Sequence, residues 1–337
     1  MKKLLLATTM LITAGNYAAA DVAVSGSARM GVTSYDGDVA FSNRVRISFA
    51  GSGTTDGDLA FGGSFSAHDA GDADSGIAGS VFISGAFGKI TMGGVDSGDA
   101  AAVGQLSSVG YEGVGTGNEI AYAADGGNIG FGDNDIDTGD TTKARVLYTY
   151  STAGVTVNAS VGQIDNTEKT DVDADGYYGS STYGVGVSYN AGAVTVGVGY
   201  GSVTATKNAT VNYDVSLTDI SASVKYVAGD TTAKAIYQDK TGDDGDDELK
   251  QKSMGASVDH KLGAVTLTAY ALSSEFSANY TDDTASLNRY GLGVAYDLGG
   301  GAVLKAGVAQ LDQISDAEGS TETESYNAFD LGVNFSF

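Results

Sequence analysis

The alternation of apolar and polar residues constrains this chain more than any other feature, because it recurs in short runs from Val22 to the carboxyl terminus. In the first run Val22, Val24 and Met30 share one parity, whereas Ser27 and Arg29 share the other. A period of two residues is typical of β-strands whose faces meet different surroundings. The sequence contains no Pro and no Cys, so no Pro interrupts the ladders and no disulfide links them. We predict an all-β fold of about sixteen antiparallel strands.

The connections between the predicted strands alternate in length, and this alternation indicates the topology. Short connections are predicted at Phe87-Gly88, Ala153-Gly154, Ala191-Gly192, Gly229-Asp230, Leu262-Gly263 and Gly299-Gly300. Longer, acidic connections are predicted near residues 36–40, 69–77, 95–142, 164–177, 205–213, 241–249, 275–285 and 313–323. Short turns at one end and long loops at the other are the arrangement of transmembrane β-barrels. A soluble sandwich has no reason to alternate in this way.

The placement of the charged residues indicates which face meets lipid. The basic residues of the predicted strands lie on the polar parity: Arg29, Arg44, Arg46, Arg145, Lys225, Lys234, Arg289 and Lys305. A basic side chain on the lipid face costs about 2–4 kcal/mol at the bilayer midplane. The polar parity is otherwise mostly Ser, Thr and Gly, so we predict that it lines water rather than a packed core. Lys250 and Lys252 break the parity beside a long loop, where their side chains can reach the interface.

The first twenty residues have the three parts of a secretory signal peptide. Lys2 and Lys3 form a positive region, residues 4–14 an apolar one, and Ala18 to Ala20 a small-residue cleavage site. We therefore predict that residues 1–20 are removed after export and that residues 21–337 form the barrel.

One long loop, residues 95–142, has no sustained alternation and carries many carboxylates. Loops of this length inside a regular fold are usually functional or disordered. We predict that this long loop folds into the lumen and narrows it. Its first acidic residues are the predicted acidic side of the constriction: Asp96, Asp99, Glu112 and Glu119.

A basic wall is predicted to face these carboxylates across a narrow gap. If strands one and two form a hairpin around residue 38, Arg29 lies roughly opposite Arg46, with Arg44 nearby. Like charges that face each other across a strand pair are destabilising. A functional role in the pore would explain why these arginines lie so close together. We predict that Arg145 and His68 complete this wall. Scattered, solvated lumen charges are the alternative interpretation.

Calcium is the one ion that the acidic loops are predicted to hold, weakly and without being required. Asp171, Asp173 and Asp175 with Gly176 are spaced like the start of an EF-hand loop, but the twelfth position is Thr182. A second candidate group is Asp133, Asp135 and Asp137. Bridging to lipopolysaccharide phosphates is a further use, and solvated acidic loops are the alternative.

Two function classes are disfavoured by composition. The formal net charge of −24 argues against nucleic acid as a partner. The chain has two His and no Cys, and a Ser66–His68 pair in a pore wall lacks the context of a hydrolase site. We predict that the protein is not an enzyme.

Several segments resemble one family. They are SGSARMGV, FSNRVRISF, SGTTDG, SGAFGKITMG, VLYTYS, YGLGVAYDLGGGA and LGVNFSF, and they resemble the trimeric porins of Rhodobacter-type alphaproteobacteria. The resemblance implies a sixteen-stranded homotrimer in the Gram-negative outer membrane. It also implies a third loop inside each barrel and passive diffusion of ions and small hydrophilic solutes. The family tends to have Lys two residues before the strand-three His, whereas this chain has Ser66 before His68, which weakens the basic wall.

Outer-membrane lipid and lipopolysaccharide are the expected surroundings of the barrel. Two alternative functions predict other sequence features. A substrate-selective outer-membrane channel should carry an aromatic track on the polar parity, which the sequence does not show. A secreted calcium-binding β-solenoid or adhesin should show a fixed internal repeat, and none is visible.

Overall fold

A computed structural model describes residues 21–68, 77–126, 128–131, 134–137, 145–163, 177–207, 213–281, 284–314 and 322–337. Sixteen strands form a closed antiparallel barrel, as the alternation predicts. They are β1 (Asp21–Tyr35), β2 (Asp38–Thr54), β3 (Ala60–His68), β4 (Ile77–Gly85), β5 (Gly88–Gly93), β8 (Arg145–Thr152), β9 (Val155–Gln163), β10 (Tyr177–Ala191), β11 (Val194–Lys207), β12 (Tyr213–Ala228), β13 (Thr231–Asp243), β14 (Glu248–Leu262), β15 (Val265–Ala278), β16 (Thr284–Gly299), β17 (Ala302–Ile314) and β18 (Thr323–Ser336). Within the described ranges, every helix is too short or too polar to cross a membrane.

The long loop has more regular structure than its sequence predicts. It contains helix α1 (Gly98–Val103), two 3₁₀ turns (Val114–Thr116 and Ala123–Asp125) and the strands β6 (Asn128–Phe131) and β7 (Asn134–Asp137). The two strands pair as a separate hairpin outside the barrel sheet. Because α1 packs against β9–β12 while the first 3₁₀ turn packs against β17 and β18, the loop lies inside the barrel.

The first hairpin corrects the predicted register. β1 and β2 are joined by only two residues, Asp36 and Gly37, with φ angles of 49° and 90°. Positive φ at both positions is required by a type I′ turn, which suits a tight hairpin. The connection predicted at 36–40 is therefore short, and Arg29 lies opposite Arg44 rather than Arg46, which pairs with Ser27.

The predicted parity is confirmed on the outside of the barrel. Large apolar side chains are exposed there along most strands, among them Val24, Phe65, Val81 and Leu292. Lys250 and Lys252 lie near the long-loop end of β14 and are exposed, where contact with water is expected.

The inner face is not polar throughout, which is a correction. Near the long-loop ends of β11, β12 and β14–β16, apolar inward residues form a buried cluster with Ile129 of the long loop: Val203, Val215, Leu217, Leu249, Phe276 and Leu287. The alternation alone cannot reveal this cluster. It shows which positions point inward, but not whether an inward residue contacts water or packs against the loop. Part of the lumen wall is therefore packed against the loop rather than wetted.

Some predicted features fall outside the described residues. These are the signal peptide, residues 1–20, and the candidate calcium ligands Asp133, Asp171, Asp173 and Asp175. Asp135 and Asp137 lie in β7. Among the residues that the structure describes, no group of three or more His, Cys, Asp or Glu side chains could hold a metal ion.

Candidate pore constriction

The path of the long loop is defined by hydrogen bonds to strands around most of the barrel. Near its start, Gly98 N donates to Ser160 Oγ of β9 at 2.9 Å. Further along, Ser107 N donates to Ser257 Oγ of β14 at 3.1 Å, and Glu112 N donates to Asp330 Oδ2 of β18 at 2.8 Å. The loop then returns, and Ala123 N donates to Asp219 Oδ1 of β12 at 2.8 Å. The loop thus covers the inner wall from β9 to β18 and leaves the side of β2–β5 more open.

The far point of the loop is fixed on the barrel seam by charge. Glu112 forms an ion pair with Arg29 of β1 and accepts a hydrogen bond from Ser42 Oγ of β2 at 2.7 Å. The Arg29 guanidinium also lies 6.0 Å from the ring centre of Tyr111. The sequence predicts a gap between these opposite charges, but the side chains of Arg29 and Glu112 are in direct contact.

Three of the predicted basic residues form a strip on β2 and β3. Arg44 lies opposite Arg29, and Arg46 lies opposite His68. Arg46 Nε and His68 Nε2 are buried without a hydrogen-bond partner in the described structure. Beside this basic strip (Arg44, Arg46 and His68), the hydroxyl oxygens of Ser66 and Ser48 lie 2.8 Å apart and share a hydrogen bond. The strip therefore places two arginines and a histidine side by side on the inner wall of the barrel.

Arg145 does not join this strip, although the sequence placed it in the wall. Its side chain donates to Val95 O and, at 3.1 Å, to Ala124 O. It also forms an ion pair with Asp125 Oδ1 at 2.7 Å. Burial raises the pKa of Asp125, and the Arg145 charge partly offsets this effect. Arg145 therefore joins the start of the loop to the segment at residues 124–125, where the loop has returned to the wall.

The four predicted acids of the loop have three different positions. Asp96 and Glu119 are exposed, and Glu112 is paired with Arg29. Asp99 is fully buried in α1 with neither carboxyl oxygen hydrogen-bonded. Burial, and then the nearby Asp219, raise the pKa of Asp99 to about 7. Asp99 therefore belongs to the support of the loop rather than to the pore surface.

Sequence reasoning missed the residues of the wall that hold the loop. Asp219 accepts hydrogen bonds from Ala123 N and from Gln238 Nε2. Lys234 donates to Val103 O at 2.6 Å and to Gln105 O at 2.9 Å, just after the end of α1, where a cation is favourable. One sequence feature could have identified Asp219 and Gln238: each is an isolated acid or amide at an inward position of a strand.

Comparison with known proteins places this architecture in a family. A family model described as Gram-negative porin matches residues 7–316. The chain belongs to the Gram-negative porins. A porin of Rhodobacter capsulatus is 34% identical over 335 residues, which cover 94% of this chain and 100% of that protein. A solved porin structure refined at 1.8 Å resolution aligns with a TM-score of 0.70 at 30% identity, covering 94% of this chain and 100% of the other.

A more distant solved structure shares the fold alone. OmpT, an outer-membrane protein of Vibrio cholerae, aligns with a TM-score of 0.71 at 17% identity, covering 98% of this chain and 100% of that one. Family and fold together make this porin an outer-membrane diffusion channel. The predictions of family, barrel and location are thus confirmed, and a channel family agrees with the prediction that the chain is not an enzyme.

Proposed function

We propose that this porin passes ions and small hydrophilic solutes through a constriction with a transverse electric field. The basic strip forms one side, and the exposed carboxylates of the long loop, Asp96 and Glu119, form the other. The Arg29–Glu112 pair closes one end. The observation that carries the proposal is the path of the described part of the loop, whose hydrogen bonds run along β9–β18 and include none to Arg46 or His68.

Opposite charges on two sides of a narrow aqueous gap orient dipoles that pass between them. Water and polar solutes can turn with such a field, whereas an apolar solute must displace oriented water and gains nothing in return. Rings of charged side chains also set the preference for one sign of ion. The constriction therefore favours small polar solutes without a binding step.

The test is the zero-current potential across a planar bilayer in a salt gradient. Replacing Arg44 and Arg46 together by Gln should shift this potential toward cation preference, because the fixed positive charge beside the gap is lost. Lys252→Gln, an exposed change near the loop end of β14, is the matched control and should leave the potential unchanged. An unchanged potential in the double variant, with normal conductance, would contradict the proposed field.

We also infer a homotrimer. In the described ranges, β3, β4, β5, β8 and β9 contain 9, 9, 6, 8 and 9 residues, whereas β10 to β18 contain between 13 and 16. The outer face of this low wall exposes Phe61, Phe65, Val81 and Met92. A low, apolar wall suits contact with another copy of the protein, and OmpT of Vibrio cholerae has been solved in a trimer form. The mass of the protein–detergent complex is the direct measurement.

The remaining partners stay predictions. Lipid and lipopolysaccharide are proposed to surround the barrel, and calcium is proposed to bind weakly at the acidic loops, for which calorimetry with Ca²⁺ is the direct measurement. Cleavage after Ala20 predicts that the protein purified from outer membranes begins at Asp21.

A further inference from the structure

A cavity of about 540 Å³ lies in the lumen between the long loop and the wall of β13–β18. Sites for small molecules commonly have volumes of this size, and here polar and apolar atoms contribute about equally to the lining. The apolar lining of this cavity comes from both the loop and the wall: Ile120, Ile129, Phe276, Leu287, Leu311 and Ile314. No such surface is needed by a channel that only passes hydrophilic solutes.

The charged side chains that line the cavity differ in their hydrogen bonds and in their exposure. Arg289 of β16 is half-buried, and its one described hydrogen bond runs from Nη1 to Glu119 O at 3.4 Å, which is long for such a bond. No described residue forms an ion pair with it. Asp312 already accepts from Asn288 N at 2.9 Å and from Ser325 Oγ at 2.5 Å. Glu119 is exposed, and Lys240 is almost fully buried.

We propose that this cavity is a binding site for a small amphipathic carboxylate. The carboxylate would bind the Arg289 guanidinium, whose planar donors match a carboxylate with two parallel hydrogen bonds. The apolar part would pack against Leu287, Phe276 and Ile129. The inference goes beyond diffusion through the constriction, and it requires only that solutes reach the lumen.

The residues that line the cavity indicate both the carboxylate and the apolar part of the ligand. The Arg289 guanidinium is half-buried and forms no ion pair with a described residue, although the nearby charge of Asp312 acts on it, so a ligand carboxylate can supply a direct partner. An inorganic anion would leave the apolar walls wetted, and a neutral apolar molecule would leave Arg289 unpaired. An organic cation would meet Arg289 and Lys240, although the carboxylates of Glu119 and Asp312 also line the cavity. One carboxylate with an apolar group is the chemistry that matches the Arg289 guanidinium and the apolar side chains of the lining together.

The experiment is a conductance titration of the full-length mature porin in planar bilayers, with 3-phenylpropionate as the probe. A bound probe obstructs the lumen, so conductance should fall to a plateau as the concentration rises. The neutral isostere 3-phenylpropionamide and the short anion acetate should each require at least about tenfold higher concentration, because each lacks one half of the contacts.

Two variants separate the site from the rest of the pore. Arg289→Gln should raise the half-saturating concentration of 3-phenylpropionate by about tenfold or more, and Leu287→Ser should raise it while keeping the charge. Lys305→Gln removes an inward positive charge of β17 near the opposite end of the barrel and should leave the titration unchanged.

The outcomes are distinct from those for the constriction. Equal titrations for the carboxylate and the amide, or for the original protein and Arg289→Gln, would overturn the binding site while leaving the diffusion channel intact. A linear fall in conductance without a plateau would do the same. Normal conductance of each variant in KCl alone shows that the barrel has folded, so a missing effect cannot be attributed to misfolding.

Discussion

At the scale of single residues, two side chains of the same type have different roles when one is exposed to the lumen and the other is buried against the loop. Arg46 lies on the side of the lumen that the loop leaves more open, whereas Arg145 is 8% exposed and bound to the loop. Asp96 is exposed, but Asp99, three residues later, is fully buried. The sequence assigned all four to the constriction, since residue type and parity do not report what covers an inward side chain. Only the path of the loop separates them.

Asp99 makes the docking of the loop dependent on pH. The raised pKa, from an ordinary 3.8 to about 7, means that the docked state binds a proton which the released loop gives up. Docking is therefore strongest below about pH 4 and weakens as the pH rises toward 7. The groups around this carboxyl are Asp219 and Asp125, with Lys240 and Arg145 beside them.

Asp99→Asn should remove this dependence, because the amide keeps the shape of the protonated carboxyl without titrating. The measurement is the hydrogen-exchange rate of the α1 amides. At each pH, the rate in the original protein is divided by the rate in the variant. The ratio should be near one at about pH 4 and clearly above one at about pH 9. The exposed neighbour change Asp96→Asn should give a constant ratio, and a constant ratio for Asp99→Asn as well would refute the coupling.

At the scale of elements, glycines allow the loop helix to lie directly on the barrel wall. The inward positions of β10 and β11 beside α1 include Gly184, Gly197 and Gly199. A Cβ atom at Gly199 would lie 2.7 Å from the Cβ of Asp99, closer than such atoms can approach. The glycines of these strands are thus required by the close approach of the helix, which explains part of the high glycine content.

Gly199→Val should displace the helix without opening the barrel, since valine suits a strand but its side chain occupies the position of α1. Overpacking of this kind typically costs about 1–3 kcal/mol. Limited proteolysis of the folded protein should cut the long loop faster in this variant than in the original. Gly51→Val in β2, where an added Cβ meets nothing within 4 Å, is the matched control. Equal cleavage of both variants would show that the glycines do not position the helix.

At the scale of the whole molecule, the sequence predicts the barrel better than its contents. The strand number and the apolar outer parity are confirmed because each is a repeated pattern supported by many residues. The register of the first hairpin depends on two residues, Asp36 and Gly37, and was misplaced. The apolar inner cluster was missed because Leu217 and Phe276 obey the parity of a wetted wall. What fills the lumen is decided by long-range contacts that no local period records.

The low wall provides the last prediction, which concerns assembly. Val81 of β4 is 60% exposed in the single chain, and in a trimer joined through β3–β5 it would be buried against another copy. Val81→Lys would place a charge inside that contact and should yield monomers. The control is Val258→Lys, on β14 at the opposite side of the barrel. A lysine on the lipid face destabilises a barrel by about 2–4 kcal/mol at most, but this variant should remain trimeric. Light scattering of the detergent-solubilised proteins measures both, and a monomeric original protein or a trimeric Val81→Lys would refute this interface.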